Sequence, residues 1–189
     1  MDSVMARSLK VAVIGAGAAG LVAARELQRE GHLVVVFEKN SKLGGTWVYD
    51  PRVETDPLSL GPRREIVQSS LYSSLRTNLP RQIMGFLDYP FQKRENGGDV
   101  RTFPGHQEVL SFLNHFAQQF QLVNLIRFDT EVVRVERVNG RKDQWIVESR
   151  SCASESEMEV FQAVVICNGH NSEPRTADIL GCGFNWKRG

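Results

Sequence analysis

Long apolar runs are missing from this sequence of 189 residues. No run approaches the roughly 18 consecutive apolar residues that a membrane-spanning helix requires. Residues 1–10 also lack the hydrophobic stretch that is typical of a signal peptide. The sequence therefore predicts a cytoplasmic protein without a membrane span.

An excess of charge of one sign is missing as well. The chain has 23 Lys and Arg residues against 22 Asp and Glu residues, which gives a formal net charge of +1. The basic pairs Arg63-Arg64 and Lys93-Arg94 are too short to form a basic patch. Because binding to a phosphate backbone depends on clustered positive charge, we expect no nucleic-acid partner.

Cysteine is scarce, with three residues at positions 152, 167 and 182. They form no Cys-x-x-Cys pair, no zinc-ligand spacing and no set suited to a disulfide framework. A metal site and a disulfide-stabilised secreted fold are therefore not expected. With 41% hydrophobic residues the chain is nevertheless rich enough in apolar side chains for one core, so one domain is the default.

The segment from Lys10 to Glu38 contains, in order, the parts of a dinucleotide-binding βαβ unit. An apolar strand is predicted over Val11–Ile14, and a Gly-x-Gly-x-x-Gly motif follows at once over residues 15–20. A helical pattern then runs to a glycine at position 31, and a second apolar strand is predicted over Val34–Phe37. Glu38 stands at the carboxyl end of this second strand, where an acid meets a ribose in such units.

Each glycine of this motif has a physical function in binding a pyrophosphate. Gly15 permits a tight turn, Gly17 lets the phosphates approach bare backbone, and Gly20 lets the helix pack close to the strand. Free amide groups and the positive end of the helix dipole attract an anion to the helix N-terminus. The predicted cofactor-binding residues of this unit are Gly15, Ala16, Gly17, Ala18, Ala19, Gly20 and Glu38.

The acid at position 38 predicts which cofactor the unit prefers. A carboxylate accepts hydrogen bonds from ribose hydroxyls and repels a 2′-phosphate. The unit is therefore suited to FAD or NAD and unsuited to NADP. A glycine-rich turn without a ligand is the alternative interpretation of the same residues.

Three later segments give the chain a family resemblance. Residues 42–47, KLGGTW, resemble the second flavin-contacting turn of the flavin-containing monooxygenases. Two adjacent glycines suit this position because they let a loop pass close over an extended cofactor. Residues 69–85, SSLYSSLRTNLPRQIMG, and residues 103–108, FPGHQE, resemble the plant S-oxygenating branch of that family, which includes the glucosinolate S-oxygenases.

This resemblance implies a fold and a chemistry. The fold is an α/β, Rossmann-like FAD-binding fold of the two-dinucleotide-binding flavoprotein type, with a three-stranded antiparallel meander. The cofactors are FAD and NADPH, and oxygen from O2 is transferred through a flavin C4a-hydroperoxide. The implied substrate is a small thioether, such as a methylthioalkyl glucosinolate, or an amine.

The resemblance also implies site residues. Gly45, Thr46 and Trp47 contact the flavin, and a role as an ordinary core aromatic is the alternative for Trp47. In that family a Thr-Asn pair, which falls on Thr77 and Asn78, faces the flavin and the nicotinamide, so both residues are predicted to bind cofactor. Asn78 is the catalytic candidate because an amide carries both a donor and an acceptor and does not titrate. Its alternative role is to cap or turn the chain before the following proline.

In the C-terminal part, the apolar period changes to two and predicts the meander. Three antiparallel strands are predicted over Val132–Val138, Trp145–Glu148 and Met158–Phe161, and a buried parallel strand over Ala163–Cys167. By resemblance, the backbone of Val132 contacts the adenine, and Gly169 belongs to a short turn near the cofactor.

One more helix is predicted before the meander, over residues 107–120. Its predicted core-facing residues are Leu110, Leu113, Ala117 and Phe120. His106, just before this helix, is interpreted as a turn residue and not as a general base.

The resemblance covers about residues 10–178. We therefore predict an FAD-binding domain over residues 1–178 and an atypical tail over residues 179–189. The sequence holds no second Gly-x-Gly-x-x-Gly unit, so the NADPH domain is predicted to be absent and the chain to be truncated. The alternatives are a catalytically inactive FAD-binding remnant, a disulfide reductase or amine oxidase, and a structural protein that has lost its flavin.

Overall fold

A computed structural model describes residues 7–55, 67, 69–92, 98–151 and 156–170 of the chain. The strands in these ranges are β1 (Lys10–Ile14), β2 (Leu33–Phe37), β3 (Ile126–Arg127), β4 (Thr130–Arg137), β5 (Trp145–Ser151), β6 (Glu157–Phe161) and β7 (Ala163–Ile166). The α-helices are α1 (Ala18–Arg29), α2 (Arg81–Met84) and α3 (His106–Gln119). Short 3-10 turns occur at Gly45–Trp47, Pro51–Thr55 and Leu122–Leu125.

Four parallel strands form one sheet in the order β3-β2-β1-β7. Strand β1 pairs with β2 from Lys10 opposite Leu33 to Ile14 opposite Phe37. On its other side β1 pairs with β7, with Ile14 opposite Ile166. The carboxyl ends of β1, β2 and β7 therefore lie next to one another, as in the dinucleotide-binding folds that the sequence predicts.

Side chains of the parallel sheet alternate between two apolar layers. Val13, Val34 and Val36 pack in the core that contains α1 and α3. Ala12 and Phe37 face the opposite side, where they pack against the meander strands. The sheet is thus covered on one side by helices and on the other by antiparallel strands, which confirms the predicted α/β fold class with its meander.

The meander consists of β4, β5 and β6 in that order, all antiparallel. Glu159 on β6 joins it to the parallel sheet, since its carboxylate accepts from Lys10 on β1 at 2.9 Å and from Arg127 on β3. Burial acts to raise the pKa of Glu159, but the hydrogen bonds from Arg127 and Lys10 outweigh burial and the pKa is lowered. These ion pairs join the meander to the parallel sheet.

Helix α3 buries a broader face than the sequence predicts. Of its four predicted core residues, Leu113 and Ala117 are buried, whereas the other two are only half-buried. The buried face extends instead to Val109, Phe112 and Phe116. The physical reason is the loop before the helix that contains Phe86, Tyr89 and Phe91, here called the aromatic loop. Its rings approach the phenylalanine rings of α3 to 4.7 Å between centroids.

The remaining predictions concern the membrane and the tail. Across the ranges that the structure describes, no helix combines the length and the apolar character that crossing a bilayer requires. The predicted atypical tail, residues 179–189, lies outside the described residues.

Candidate dinucleotide-binding site

A cleft of about 650 Å³ opens at the carboxyl ends of β1, β2 and β7. Its walls come from the glycine loop after β1, the end of β2, the Gly-Gly turn, the start of β4 and the segment after β7. The sequence-predicted site residues that line it are Gly15, Gly17, Ala18, Ala19, Glu38, Gly45, Thr46, Trp47, Val132 and Gly169. Residues far apart in the chain are therefore brought to one place.

The glycine loop is packed tightly against its neighbours. Gly15 has a φ of +101°, and a Cβ atom there would lie 2.5 Å from the carbonyl oxygen of Cys167. A Cβ atom on Gly20 would lie 1.9 Å from the carbonyl oxygen of Gly15. The tight turn and the close helix packing that the motif predicts are both present, and both depend on the absence of a side chain.

The N-terminus of α1 opens into this cleft. The first helical hydrogen bond runs from the amide of Leu21 to the carbonyl of Gly17 at 3.0 Å, so the amides of the preceding turn have no partner within the helix. No side chain caps this end, and its first turn contains no acidic residue. Ala18 and Ala19 line the cleft, so the positive end of the helix dipole faces it.

Glu38 places a buried carboxylate in the cleft wall, with only 4% of the residue exposed. One carboxylate oxygen, Oε2, accepts a hydrogen bond from the amide of Ala16 at 2.8 Å. The other oxygen, Oε1, accepts from the amide of Asn40 at 2.9 Å. Each oxygen still has a lone pair for another donor, such as a sugar hydroxyl.

The Gly-Gly turn packs directly on the glycine loop. The amide of Gly44 donates to the carbonyl of Ala16 at 3.0 Å. A Cβ atom on Gly45 would lie 3.1 Å from the Cα atom of Gly17, so both residues leave the cleft floor free of side chains. Trp47 lines the cleft and also packs against the helix-side core. Contact with a flavin, its predicted role, and packing in the core, its alternative role, are thus compatible.

The structure places the remaining predicted residues outside the cleft lining. Ala16 and Gly20 belong to the glycine motif, but both are buried. Thr77 is also buried, and its amide donates to Pro104 O at 2.9 Å while its hydroxyl donates to Leu79 O at 2.8 Å. Asn78 is exposed at a bend. The catalytic role of Asn78 therefore stays a prediction.

Sequence reasoning missed several residues of the cleft, among them Lys39, Glu131 and Cys167. Burial raises the pKa of the Cys167 thiol. Each of these residues stands within two positions of a predicted site residue, and that proximity along the chain is the signal that could have found them. In the described ranges, His, Cys, Asp and Glu side chains form no group suited to a metal ion.

Comparison with known proteins gives this cleft a context. Residues 8–180 match the family model described as Flavin-binding monooxygenase-like. The chain is 57% identical over 177 residues to Flavin-containing monooxygenase FMO GS-OX5 of Arabidopsis thaliana, an alignment that covers 92% of this chain and 38% of the relative.

Two solved structures are similar in fold. The S-allyl-L-cysteine S-oxygenase from Allium sativum superposes with a TM-score of 0.84 and 53% identity, over 92% of this chain and 39% of that one. Tmm from a Pelagibacter species superposes with a TM-score of 0.72 and 26% identity, over 89% of this chain and 38% of that one. The chain thus spans 38% to 39% of the length of these three relatives.

Proposed function

Since the chain belongs to the flavin-binding monooxygenase-like family, we propose that its cleft binds FAD. Glu38 would hold the ribose, the first turn of α1 the pyrophosphate, and the backbone of Val132 the adenine. The residues that would hold the flavin are Gly45, Thr46 and Trp47. One observation carries the proposal: the open N-terminus of α1 and the carboxylate of Glu38 face the same cleft.

The cleft fits this cofactor in size, shape and charge. Its volume of about 650 Å³ lies in the range of small-molecule sites. Its floor, where Gly17 meets Gly45, has no side chain that would block an extended ligand. The positive end of α1 favours a pyrophosphate, while the acid at position 38 favours an unphosphorylated ribose.

For the whole protein, we propose oxygenation of a small thioether at sulfur, with NADPH and O2 as co-substrates. The support is the similarity to proteins named for this chemistry, at 57% identity to FMO GS-OX5 and 53% to the S-allyl-L-cysteine S-oxygenase. Bound FAD supplies the redox chemistry that links oxidation of NADPH to activation of O2. A methylthioalkyl glucosinolate is the proposed substrate class, and an amine is the alternative.

The residues of this chain would bind and orient the cofactor. The amides of Ala18 and Ala19 would compensate the negative charge of the pyrophosphate, because the N–H groups of the first helical turn have no partner within the helix. Trp47, anchored in the core, keeps the Gly-Gly turn in place. Asn78 is proposed to hydrogen-bond near the reacting ring. The FAD-binding domain of residues 1–178 and the cytoplasmic location are part of the same proposal.

FAD binding without oxygenation by this chain alone is a second candidate function. The exposed position of Asn78, outside the cleft lining, favours it. The two functions are separated by an NADPH-oxidation assay with a thioether substrate and detection of the sulfoxide. Sulfoxide formation by the isolated chain supports oxygenation, and bound flavin without turnover supports the second function.

The visible absorption spectrum of the purified chain tests FAD binding. We expect stoichiometric flavin bands that survive gel filtration after FAD is added. In the Glu38→Arg variant we expect affinity for FAD to fall about 100-fold, because the variant loses a ribose acceptor and leaves the buried amide of Ala16 and the part-buried amide of Asn40 without their acceptor. Glu136→Arg, on the exposed side of β4, is the matched control. Folded wild-type protein without retained flavin would contradict the proposal.

A further inference from the structure

Glu38 makes more hydrogen bonds to the backbone than a ribose-binding acid requires. Its two carboxylate oxygens accept from the amides of Ala16 and Asn40 at 2.8 and 2.9 Å. The carbonyl of Ala16 in turn accepts from the amide of Gly44 at 3.0 Å. A continuous path of hydrogen bonds therefore joins the end of β2, the glycine loop and the Gly-Gly turn.

The backbone of Glu38 anchors this path on the two sheets. Its amide donates to the carbonyl of Arg127 at 3.0 Å, and its carbonyl accepts from the amide of Thr130 at 2.9 Å. The carboxylate thus extends from a fixed point. In contrast, the loop that it contacts contains Gly15 and Gly17, whose wide conformational freedom has to be restrained by bonds from outside the loop.

We infer that Glu38 is a positioning residue, which orders the glycine loop directly and the Gly44-Gly45 turn through Ala16. A buried amide that loses its acceptor destabilises the conformation that buries it. Without the carboxylate, the amide of Ala16 would turn towards water, and the Ala16 carbonyl would no longer be held for Gly44. The pyrophosphate end and the flavin end of the cleft are therefore both shaped by one side chain.

The inference rests on the proposed function in one respect, that the ordered loop is the pyrophosphate site. The order of the loop itself is a property of the cofactor-free chain. Loss of loop order and loss of FAD binding are therefore measured separately, and either can occur without the other.

Amide hydrogen exchange of the full chain without FAD tests the positioning role. Glu38→Ala and Glu38→Leu both remove the two acceptors, and the leucine keeps the volume filled should the alanine variant not fold. We expect exchange at Ala16 and Gly44 to accelerate about ten-fold, as for loss of one buried hydrogen bond. Unchanged exchange at Gly44, which does not touch Glu38, would overturn the inference.

Glu131→Gln is the matched control for this experiment. Glu131 also lines the cleft, and its side chain pairs with Arg150 at 3.1 Å and not with the glycine loop. We expect exchange at Ala16 and Gly44 to be the same in this variant as in the wild type. Acceleration at Gly44 in Glu131→Gln would show that loss of charge alone loosens the turn, and would count against positioning by Glu38.

Titration with inorganic pyrophosphate separates positioning from binding of the sugar. Pyrophosphate has no ribose, so an acid that only binds the sugar would leave its affinity unchanged or, through repulsion, lower it. Removal of the charge in Glu38→Leu would then leave pyrophosphate affinity equal or higher. We expect the opposite, a loss of about ten-fold, because the loop is no longer ordered. Equal or tighter binding would contradict the inference.

Discussion

Among single residues, Gly20 shows how strictly the glycine loop is constrained. A Cβ atom there would lie 1.9 Å from the carbonyl oxygen of Gly15, which cannot move without displacing β1. We expect Gly20→Ala to lower the free energy of unfolding by about 3 kcal/mol. Gly31→Ala is the matched control, because only its φ of +80° opposes the new side chain and nothing lies within 4 Å. Its expected loss is about 1 kcal/mol.

Urea denaturation of the two variants measures this difference. If both lost the same free energy, the backbone contact at Gly20 would not be the cause.

The carboxyl group of Asp99 makes the stability of the fold depend on pH. Its carboxylate accepts from the amides of Arg101 and Gly105, both at 3.1 Å, and from the guanidinium of Arg76 at 2.6 Å. The hydrogen bond from the Arg101 amide is the largest cause that lowers the pKa of Asp99, from 3.8 to about 2. A pKa that is lower in the folded state stabilises the fold above the unfolded value, and this stability is lost as the pH falls through the folded value.

We therefore expect the free energy of unfolding to fall between pH 3.8 and about pH 2, and to fall less steeply in Asp99→Asn. Denaturant titrations at several pH values measure both slopes. Asp143→Asn, in the exposed connection between β4 and β5, serves as the control. If the free energy of unfolding fell with pH at the same slope in the wild type and in Asp99→Asn, the Asp99 carboxyl would not be the cause of the pH dependence.

At the scale of elements, helix α3 is held by the aromatic loop that precedes it. Phe116 is fully buried, with ring centroids 4.7 Å from Phe86 and 5.2 Å from Tyr89. We expect Phe116→Ala to lower the free energy of unfolding by about 3 to 5 kcal/mol, through lost burial and the cavity that remains. Phe120→Ala, at the half-buried C-terminal end of the helix, should lower the free energy of unfolding clearly less. Thermal or urea denaturation ranks the two variants, and the reverse order would contradict this packing.

In the whole molecule, cofactor binding and folding are linked because five separate segments build the cleft. A ligand that binds only the folded chain stabilises it by about 2.7 kcal/mol at 100 times its dissociation constant. We expect FAD to raise the thermal midpoint of the chain in this concentration-dependent way, and to raise it much less in Glu38→Arg. Calorimetry with increasing FAD measures the shift. A midpoint that does not respond to FAD would mean that the folded chain does not bind it.

Local sequence patterns predict most secondary-structure elements of this fold correctly. The strands predicted over Val11–Ile14 and Val34–Phe37 are each found one residue longer, as β1 and β2. Helix α1 ends at Arg29, two residues before the predicted stop at Gly31, whose φ is +80°. The meander also follows its predicted order. These features could be predicted because periodicity and glycine signals depend on residues that are neighbours in the chain.

Which of these elements pack or pair with one another could not be predicted from local patterns. Strand β3 has two residues, too few for any periodicity, and β7 lies beside β1 although it comes last among the described strands. His106, interpreted as a turn residue, is instead the first residue of α3 with only 2% of its surface exposed, and Tyr49 packs against it with ring centroids 5.6 Å apart.

The candidate site likewise has features that follow from the sequence and features that depend on packing. The position of Glu38 at the end of a strand followed from the sequence, because a single segment specifies it. Its hydrogen bonds to Ala16 and Asn40, and the position of Asn78 outside the cleft, did not. Such contacts depend on how separate layers pack on each other, and packing is set by the shapes of side chains that are distant in the chain.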